Sequence, residues 1–294
     1  MLHGSYPPSF FEDKLFPQKY TLQIKGRLFS LEKPKIMGII NLTPDSFFEK
    51  SRIEVSRAQV LSQARKMLDE GADFLDLGGY STRPGAEEIS VQQEIDRVCP
   101  AVRWIKEEFP NTLISVDTFR SQVAQFAIRE GADLINDISA GNLDPDILSV
   151  VADSGLPYLA MHMKGNPKNM QNLIHYDRFL PEILYYFAEK LEIFKKIGIK
   201  DVIIDPGFGF AKTLEQNFQL LKNLNSFRVF GLPLLVGISR KSMIYKSLGT
   251  SSLEALNGTT ALNMFSLLNG ANILRVHDVK EAKETIKLYE QLYP

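Results

Sequence analysis

Eight short apolar runs, each ending in polar residues, constrain the fold of this chain more than any other feature of its sequence. The first run, at residues 36–40, leads into Asn41 and the turn-forming sequence TPD at residues 43–45. A short unbroken apolar run bounded by turn signals is typical of a strand buried on both faces. We therefore predict eight buried strands. Their polar ends are Asn41, Asp76, Asp117, Asn136 with Asp137, His162, Asp205, Ser239 to Lys241, and Arg275 with His277.

Segments of helical spacing separate these runs, and similar four-residue joints lead the chain into the next strand. The joints read EGAD at residues 70–73, EGAD at 130–133 and NGAN at 269–272. Glycine at this place is typical of a left-handed helix cap before a sharp reversal. Ser90 and Gln93 have the spacing of a capping box. Helices are predicted at residues 56–70, 90–109, 121–130, 146–154, 177–197, 214–225, 253–269 and 279–292.

Strands alternating with helices, eight of each, predict an α/β protein of the (β/α)8 barrel class. The alternative is an open doubly wound sheet, which is disfavoured because no glycine-rich dinucleotide loop follows the first strand. Residues 20–31 alternate polar and apolar side chains around Lys25 and Gly26, which indicates a short N-terminal hairpin covering one end of the barrel. We expect residues 1–20 to form a loose extension and residues 21–294 a single domain.

The composition excludes several classes of site and partner. A net charge of −1 provides no basic field for nucleic acid and no polybasic patch for a membrane surface. The single cysteine, Cys99, excludes an internal disulfide and a cysteine cluster for zinc. Residues 1–20 contain acids and prolines in place of the apolar stretch of a secretory signal, and no apolar run reaches the length of a membrane span. We expect a cytoplasmic protein that binds neither nucleic acid nor membrane.

Two glycine-containing segments after predicted strands have compositions suited to ligand binding. DLGGYSTRPGA at residues 76–86 places Thr82 and Arg83 beside paired glycines, and arginine suits a forked contact with phosphate or carboxylate. The alternative is a surface loop with a solvated arginine. DPGFGF begins with the Asp205 carboxylate and ends with the Phe210 ring, which together suit a planar heterocycle with an amino group. The alternative there is a glycine-rich turn with a capping aspartate.

Cations follow the last two predicted strands. Lys241 comes after the seventh strand, and Arg275 and His277 close the eighth. The loops after strands 7 and 8 commonly bind phosphate in such barrels, and helix N-termini there present N–H groups to anions. The alternative for His277 is a core histidine, but its nearness to Arg275 favours an anion site. Asp117 and Asn136 are structural hydrogen bonders or ligand contacts, because a buried aspartate is costly to leave unpaired.

Eight segments of the chain together match the motifs of one protein family. They read IMGIINLTPDSF, DLGGYSTRPGA, ISVDTFR, LINDISAG, MHMKGNPKNMQ, IIDPGFGFAKT, GISRKSMI and RVHDV. In this order they resemble dihydropteroate synthase, and the resemblance extends from about residue 20 to the end of the chain. It implies a TIM-type barrel, a homodimer and a requirement for Mg2+. The implied reaction joins 6-hydroxymethyl-7,8-dihydropterin diphosphate to p-aminobenzoate, giving 7,8-dihydropteroate and diphosphate.

The resemblance implies roles for residues at the matching motif positions. The pterin contacts are Asp117, Asn136, Met161, Asp205, Gly209 and Lys241. The diphosphate contacts are Asn41, Arg83, Arg275 and His277, with Asn41 near the metal. The p-aminobenzoate contacts are Thr82, Pro84, Phe210 and Ser242. The catalytic residues are Asp117, Lys241, Arg275 and His277.

The implied mechanism is heterolysis of the C–O bond followed by attack of the aniline nitrogen. Two alternatives bind pterin without this reaction: a methyltransferase that uses methyltetrahydrofolate, and a paralogue without activity. The synthase is favoured because methyl transfer does not need Arg83, Lys241 and the Arg275–His277 pair. Two departures from the family pattern concern the first two loops: Tyr80 stands where the family commonly has Glu, and FEKS at residues 48–51 replaces a glycine-rich turn.

Overall fold

A computed structural model describes residues 18–43, 56–81 and 87–293 of the chain. Its strands are β1 (Thr21–Ile24), β2 (Arg27–Ser30), β3 (Lys35–Asn41), β4 (Phe74–Gly78), β5 (Leu113–Asp117), β6 (Leu134–Asp137), β7 (Tyr158–Met161), β8 (Val202–Asp205), β9 (Leu235–Val236) and β10 (Ile273–Val276). The last eight form one parallel sheet in the order β8-β7-β6-β5-β4-β3-β10-β9. A parallel bridge between Ile204 and Leu234 joins its two edges, so the predicted barrel is confirmed.

Helices follow the barrel strands and pack around the outside. They are α1 (Arg57–Asp69), α2 (Val91–Glu108), α3 (Ser121–Glu130), α4 (Asp146–Ser154), α5 (Phe179–Ile197), α6 (Leu214–Lys222), α7 (Ser242–Leu248), α8 (Leu256–Leu268) and α9 (Val279–Leu292). The predicted capping box is present, since Ser90 Oγ accepts from the Gln93 N–H at 3.1 Å and Gln93 Oε1 accepts from the Ser90 N–H at 2.8 Å. Helices α3, α4 and α9 begin and end where the sequence predicts.

The two largest differences from the predicted helix boundaries have local reasons, and the other boundaries agree within two residues. Helix α6 ends at Lys222, because the Asn223 side chain donates to Gln219 O at 2.7 Å and the chain continues as a 3-10 helix, Leu224–Phe230. Helix α8 begins only at Leu256. Before it, the Glu254 carboxylate accepts hydrogen bonds from residues 250 and 251, which closes a separate turn.

The three predicted joints all have the expected left-handed glycine. Gly71 has φ +100°, Gly131 has φ +113° and Gly270 has φ +96°. An L-residue with a side chain rarely adopts these angles, so glycine lets the helix end and the chain turn directly into the next strand. The repeat of this joint explains why the strands following α1, α3 and α8 enter the barrel in the same way.

The N-terminal hairpin of β1 and β2 covers the N-terminal end of the barrel, as predicted. Lys25 and Gly26 have φ +48° and +82°, the paired positive angles of a tight hairpin turn. The hairpin buries Leu22 and Ile24 against the lowest layer of the barrel interior. That layer consists of Met37, Phe74, Leu134, Leu159, Ile203, Leu235 and Ile273.

Residues 18–20 precede this hairpin, and the backbone N–H of Lys19 donates to Gly231 O at 2.8 Å. Lys19 Nζ pairs with Asp201 at 2.7 Å. Residues 1–17 lie outside the described residues, so the loose extension expected at 1–20 and the single domain expected at 21–294 stay predictions. No helix in the described part of the chain is long and apolar enough to cross a membrane.

The barrel interior is apolar in its lowest layer and becomes polar two residues beyond that layer along the strands. Side chains alternate between the two faces of a strand, so residues two apart both point inward. Four inward positions above the apolar layer carry polar groups: Asp76, Asn136, Asp205 and Arg275. The polar cluster therefore lies at the C-terminal ends of the strands, where barrels of this class carry their active sites.

Candidate active site

Arg275 joins the ends of three strands of the barrel. From β10 it donates Nε to Asp76 Oδ2 at 2.6 Å and Nη2 to Asp117 Oδ2 at 2.7 Å. Burial disfavours the charge of this guanidinium, but the carboxylates of Asp76 and Asp117 hold its pKa above the ordinary value. The barrel mouth therefore contains a cation that stays charged across the physiological pH range.

Asp76 is a central residue of this cluster, although the sequence analysis did not name it as a site residue. It is fully buried, and its Oδ2 also accepts from Asn136 Nδ2 at 3.0 Å. The signal that identifies it is strand alternation: Asp76 follows the interior residue Phe74 by two positions and shares its face. Asn136, predicted as a pterin contact, is thus oriented by Asp76.

Asp117, predicted as both a pterin contact and a catalytic residue, lies at the mouth on β5. Burial raises the pKa of its carboxyl to about 7, the Arg275 guanidinium opposes this rise, and the nearby Asp76 adds to it. Two carboxylates that share one guanidinium cannot both be fully stabilised as anions. The pKa of Asp117 is therefore raised, and any additional positive charge placed beside it would oppose the rise and favour the carboxylate form.

Asp205 ends β8 and begins a tight turn. Its Oδ1 accepts from the Gly207 N–H at 2.8 Å, and burial raises the pKa of its carboxyl, opposed first by Lys241. A side chain at position 207 is not tolerated, because a Cβ there would lie 2.0 Å from the carbonyl oxygen of His162. The turn thus fixes a buried carboxylate at the strand end, as the DPGFGF segment predicts.

Lys241 approaches the same turn from the opposite side. Its Nζ donates to Phe208 O and lies 4.9 Å from the centre of the Phe210 ring. Burial lowers the pKa of Lys241 to about 8, while the Asp205 carboxylate opposes the fall. A Cβ at Gly209 would be in ordinary contact with the Lys241 side chain at 3.4 Å, so it is the left-handed φ of +81° that favours glycine here.

An apolar wall stands beside the charged groups. Met161 is buried and belongs to a small cluster with Ile138, Met163 and Met170, against which the half-buried Phe210 packs. Ser242, predicted as a p-aminobenzoate contact, is the half-buried first residue of α7. The fold therefore brings the predicted Met161, Asp205, Gly209, Phe210 and Lys241 to one side of the mouth.

His277 lies just beyond the end of β10. Its Nδ1 is 3.1 Å from Ser239 Oγ, and its backbone N–H donates to the same oxygen at 3.2 Å. Ser239 was not among the predicted site residues, although it ends the seventh apolar run. Asn41, predicted for diphosphate and metal, is half-buried at the end of β3, the strand that pairs with β10.

The two cations after the seventh strand have different surroundings. Arg240 has φ +55° and forms a forked ion pair with Asp278, with both N···O distances 2.8 Å. It also donates to the carbonyls of Ser252 and Leu253. Lys241, by contrast, contacts the turn that follows Asp205. Of these two adjacent cations, Lys241 is the one that the sequence analysis assigned to the site, and it is the one that reaches the site.

Three predicted contacts, Thr82, Arg83 and Pro84, lie outside the described residues, as does the departure at residues 48–51. Tyr80, the other departure from the family pattern, lies within the described residues. Its ring packs edge-on against Phe119 with centroids 5.2 Å apart, and the Arg120 guanidinium lies 5.2 Å from its centre. Tyr80 thus makes an aromatic and cationic contact at the start of the second loop.

The donor groups at the mouth fit Mg2+ only as an ion that substrate phosphates help to hold. Within residues 18–43, 56–81 and 87–293, no group of three or more His, Cys, Asp or Glu side chains is arranged to hold a metal. Asn41 offers one neutral oxygen. Mg2+ is usually bound by one or two protein oxygens together with phosphates and waters, and that mode is compatible with Asn41.

Comparison with known proteins agrees with this geometry. The family described as pterin binding enzyme matches residues 37–277. Dihydropteroate synthase of Escherichia coli is 42% identical over 279 residues, covering 94% of this chain and 95% of that protein. The Yersinia pestis synthase in a sulfonamide drug complex has a TM-score of 0.86 at 41% identity, covering 92% of this chain and 98% of its own.

A second solved structure gives the same result at lower identity. The Xanthomonas albilineans synthase with 4-aminobenzoic acid has a TM-score of 0.86 at 35% identity, covering 94% of this chain and 98% of that one. Fold, site composition and near full-length similarity therefore agree. The chain belongs to the pterin binding enzyme family and, within it, to the dihydropteroate synthases, transferases of folate synthesis.

Proposed function

We propose that the barrel mouth binds 6-hydroxymethyl-7,8-dihydropterin diphosphate with its ring beside Asp205 and its diphosphate toward Arg275 and His277. The observation that carries this arrangement is the placement of Arg275, which is held by Asp76 and Asp117 within the polar layer. The ring side contains the Asp205 carboxylate, Lys241 and an apolar wall. These groups suit an aminopterin, whose adjacent N–H groups can donate to one carboxylate.

The reaction proceeds by charge separation at this mouth. The C–O bond of the substrate breaks, and its electron pair leaves with the diphosphate. The permanent cation Arg275 stabilises that leaving group, and His277, fixed by Ser239, adds a second donor. The carboxylate of Asp117 stabilises the positive charge that spreads into the pterin ring. Interactions that strengthen as the charges separate lower the barrier, so no covalent nucleophile of the protein is needed.

The nucleophile is p-aminobenzoate, the compound present in the X. albilineans synthase structure. Its aniline nitrogen forms the new C–N bond with the methylene carbon and releases one proton, which balances the reaction. Phe210 and Ser242 border the mouth on the side where the ring would lie. Thr82, Arg83 and Pro84 are proposed from their motif positions to complete the anion and p-aminobenzoate contacts.

Mg2+ is proposed as a cofactor of the leaving group. When bound, the ion neutralises part of the diphosphate charge. Asn41 would provide its protein oxygen, since it ends the strand next to the one that carries Arg275. The cytoplasmic location and the absence of nucleic-acid and membrane partners stay predictions from the sequence.

Turnover with both substrates tests the proposed function. Purified protein supplied with 6-hydroxymethyl-7,8-dihydropterin diphosphate, p-aminobenzoate and Mg2+ is expected to release diphosphate and form dihydropteroate in equal amounts. Addition of EDTA is expected to reduce the rate strongly, and excess Mg2+ to restore it. Pterin binding without turnover would identify an inactive paralogue, and an EDTA-insensitive rate would remove Mg2+ from the proposal.

A homodimer is proposed from exposed apolar side chains that recur on consecutive outer elements. Phe218, Val229, Leu248, Leu253 and Phe265 are each 36% to 82% exposed along α6, α7, α8 and their connections. Exposed apolar surface on neighbouring helices is typical of a subunit interface. A second copy of the chain is the expected occupant, in agreement with the resemblance to the family.

Light scattering after gel filtration is expected to give twice the 33.3 kDa mass of the single chain. Leu253→Glu should shift the equilibrium toward monomer, because it places a charge among the apolar side chains of the proposed interface. The matched control is Leu28→Glu, which changes a similarly exposed leucine on the N-terminal hairpin. A monomeric wild-type protein, or equal effects of the two variants, would contradict the proposed interface.

A further inference from the structure

We infer that Lys212 is a positioning residue of the pterin site, whose buried ammonium group fixes the turn that joins Asp205 to Phe210. Lys212 lies at the end of that turn and is 5% exposed. Its Nζ donates to Gly207 O at 2.9 Å and to Phe210 O at 2.9 Å, and it lies 3.0 Å from His162 Nδ1. The inference rests on the proposed pterin site at Asp205.

The three partners of Lys212 match the three N–H donors of an ammonium group. Two are turn carbonyls: the Gly207 oxygen, which also accepts from the Phe210 N–H at 3.2 Å, and the Phe210 oxygen. The ammonium group gives each of them a charged donor, and a buried backbone oxygen left without any donor is costly. The third is the buried His162: a charged Lys212 can only donate to Nδ1, which places the proton of the neutral ring on Nε2. Burial lowers the pKa of Lys212 well below its ordinary value, while the Asp205 carboxylate opposes that fall and favours the charged form. Burial also lowers the pKa of His162, which keeps the ring neutral.

The turn needs such support because its backbone is unusual. Gly207 and Gly209 have φ +75° and +81°, and Ala211 has φ +49°, a left-handed angle that is strained for a residue with a Cβ. Two ammonium groups hold the carbonyls between these residues. Lys212 binds the oxygens of residues 207 and 210, and Lys241 binds that of residue 208 from the other side.

The position of this turn decides two features of the proposed pterin site. The Gly207 N–H is directed at Asp205 Oδ1, which orients the carboxylate. The Phe210 ring is held beside Lys241 Nζ, at 4.9 Å from its centre. The Lys212 ammonium group has protein atoms as its three partners, His162 Nδ1, Gly207 O and Phe210 O, so we place its action on the turn and on the local charge and not on the ligand itself.

The charge of Lys212 also acts on Asp205 directly. Burial raises the pKa of this carboxyl, and the groups that oppose the rise are Lys241, the Gly207 N–H, Arg275 and Lys212. The charged groups facing Lys212 are Asp205, Lys241 and Lys164, beside its contact with His162. Removing the Lys212 charge is therefore expected to raise the pKa of Asp205 further and to protonate it at a higher pH.

The test compares Lys212→Met with Lys190→Met. Lys190 is a similarly buried lysine on α5 that donates to Asn142 and does not contact the turn, so its variant measures the effect of losing a buried ammonium elsewhere. Calorimetry with 6-hydroxymethylpterin is expected to show an affinity loss of about tenfold or more for Lys212→Met, as for a lost charged hydrogen bond. Diphosphate affinity should change by less than about twofold, and Lys190→Met should leave both affinities unchanged.

Lys212→Gln provides a second variant if the methionine variant does not fold, since its amide keeps N–H donors for the carbonyls but lacks the charge. Pterin binding requires the Asp205 carboxylate, so it is lost as pH falls through the pKa of that group. In Lys212→Gln this loss should begin at a higher pH than in the wild type.

The inference would be overturned if a folded Lys212 variant bound pterin as tightly as the wild type and lost that binding at the same acidic pH as the wild type. Equal losses of pterin and diphosphate affinity would also overturn it, because they indicate a general structural role. Failure of the pterin site itself is distinguished by Asp205→Asn: if that variant binds pterin like the wild type, the site assignment is wrong, whatever Lys212 does.

Discussion

Arg275→Ala is expected to weaken diphosphate binding by one to two orders of magnitude and to lower turnover by a factor of about 10² to 10³. A charge-assisted hydrogen bond contributes about 1.5–3 kcal/mol, and removal of one donor to a developing anion costs about 10²–10³ in rate. Arg275 combines both roles at the mouth, because its guanidinium is held in place by Asp76 and Asp117. Calorimetry with diphosphate and Mg2+, together with steady-state turnover, measures the two effects.

The same substitution leaves two carboxylates without their shared cation. The pKa of Asp117, already raised by burial and opposed by Arg275, should rise further, so a neutral solution would contain more of its protonated form. This relieves the repulsion between Asp76 and Asp117 and should help the variant to fold. Affinity for 6-hydroxymethylpterin should fall much less than affinity for diphosphate, because Asp205 and Lys241 remain.

Arg240→Ala is the matched control for Arg275→Ala. Arg240 is also a forked arginine at a strand end, but its partner is Asp278 and it does not contact the polar layer of the barrel. Its loss is expected to reduce thermal stability while diphosphate affinity stays near that of the wild type. If pterin and diphosphate affinities fall together in Arg275→Ala, or if neither falls, Arg275 is a structural residue and the proposed division of the mouth is mistaken.

The barrel could be predicted from sequence because its signals are local. Each strand is a short apolar run with a polar end, and each joint before β4, β6 and β10 has a glycine with a positive φ. The hairpin is local as well, since Lys25 and Gly26 alone determine its turn. These features depend on neighbours along the chain, which the sequence shows directly.

The contacts within the site could not be predicted in the same way, because they join distant positions. Arg275 and Asp76 are 199 residues apart, and Lys212 and His162 are 50 apart. Motif positions identified Asp117, Asn136, Asp205 and Lys241 as individual residues. They did not reveal that Asp76 orients Asn136, since this requires the side-by-side arrangement of β4, β5 and β6.

Lys212 illustrates a second reason why contacts within the site could not be predicted from the sequence. A lysine in the sequence AKT after a glycine-rich turn suggests a solvated side chain, because lysines are rarely buried. The turn reverses this expectation, since its left-handed residues direct two carbonyls inward and create a site for a cation. The backbone conformation, and not the residue type, determines where this lysine points.

Asp205→Asn is expected to weaken binding of 6-hydroxymethylpterin by one to two orders of magnitude, because a charge-assisted bond worth about 1.5–3 kcal/mol is lost. The asparagine oxygen can still accept from the Gly207 N–H, so the turn should keep its conformation. The matched control is Asp201→Asn at the opposite end of the same strand. Asp201 is also buried and pairs with Lys19, so its variant should lose stability but retain pterin affinity.

The pH dependence of the Asp205→Asn variant distinguishes a lost charge from a lost shape. Burial lowers the pKa of Lys241 to about 8, and the Asp205 carboxylate opposes that fall. Without the carboxylate, Lys241 should lose its proton at a lower pH, so residual pterin binding should decline on the alkaline side earlier than in the wild type. A variant that binds pterin as tightly as the wild type would remove Asp205 from the site. If pterin affinity fell by the same factor at every pH and its decline at alkaline pH were not shifted, Asp205 and Lys241 would not be electrostatically coupled.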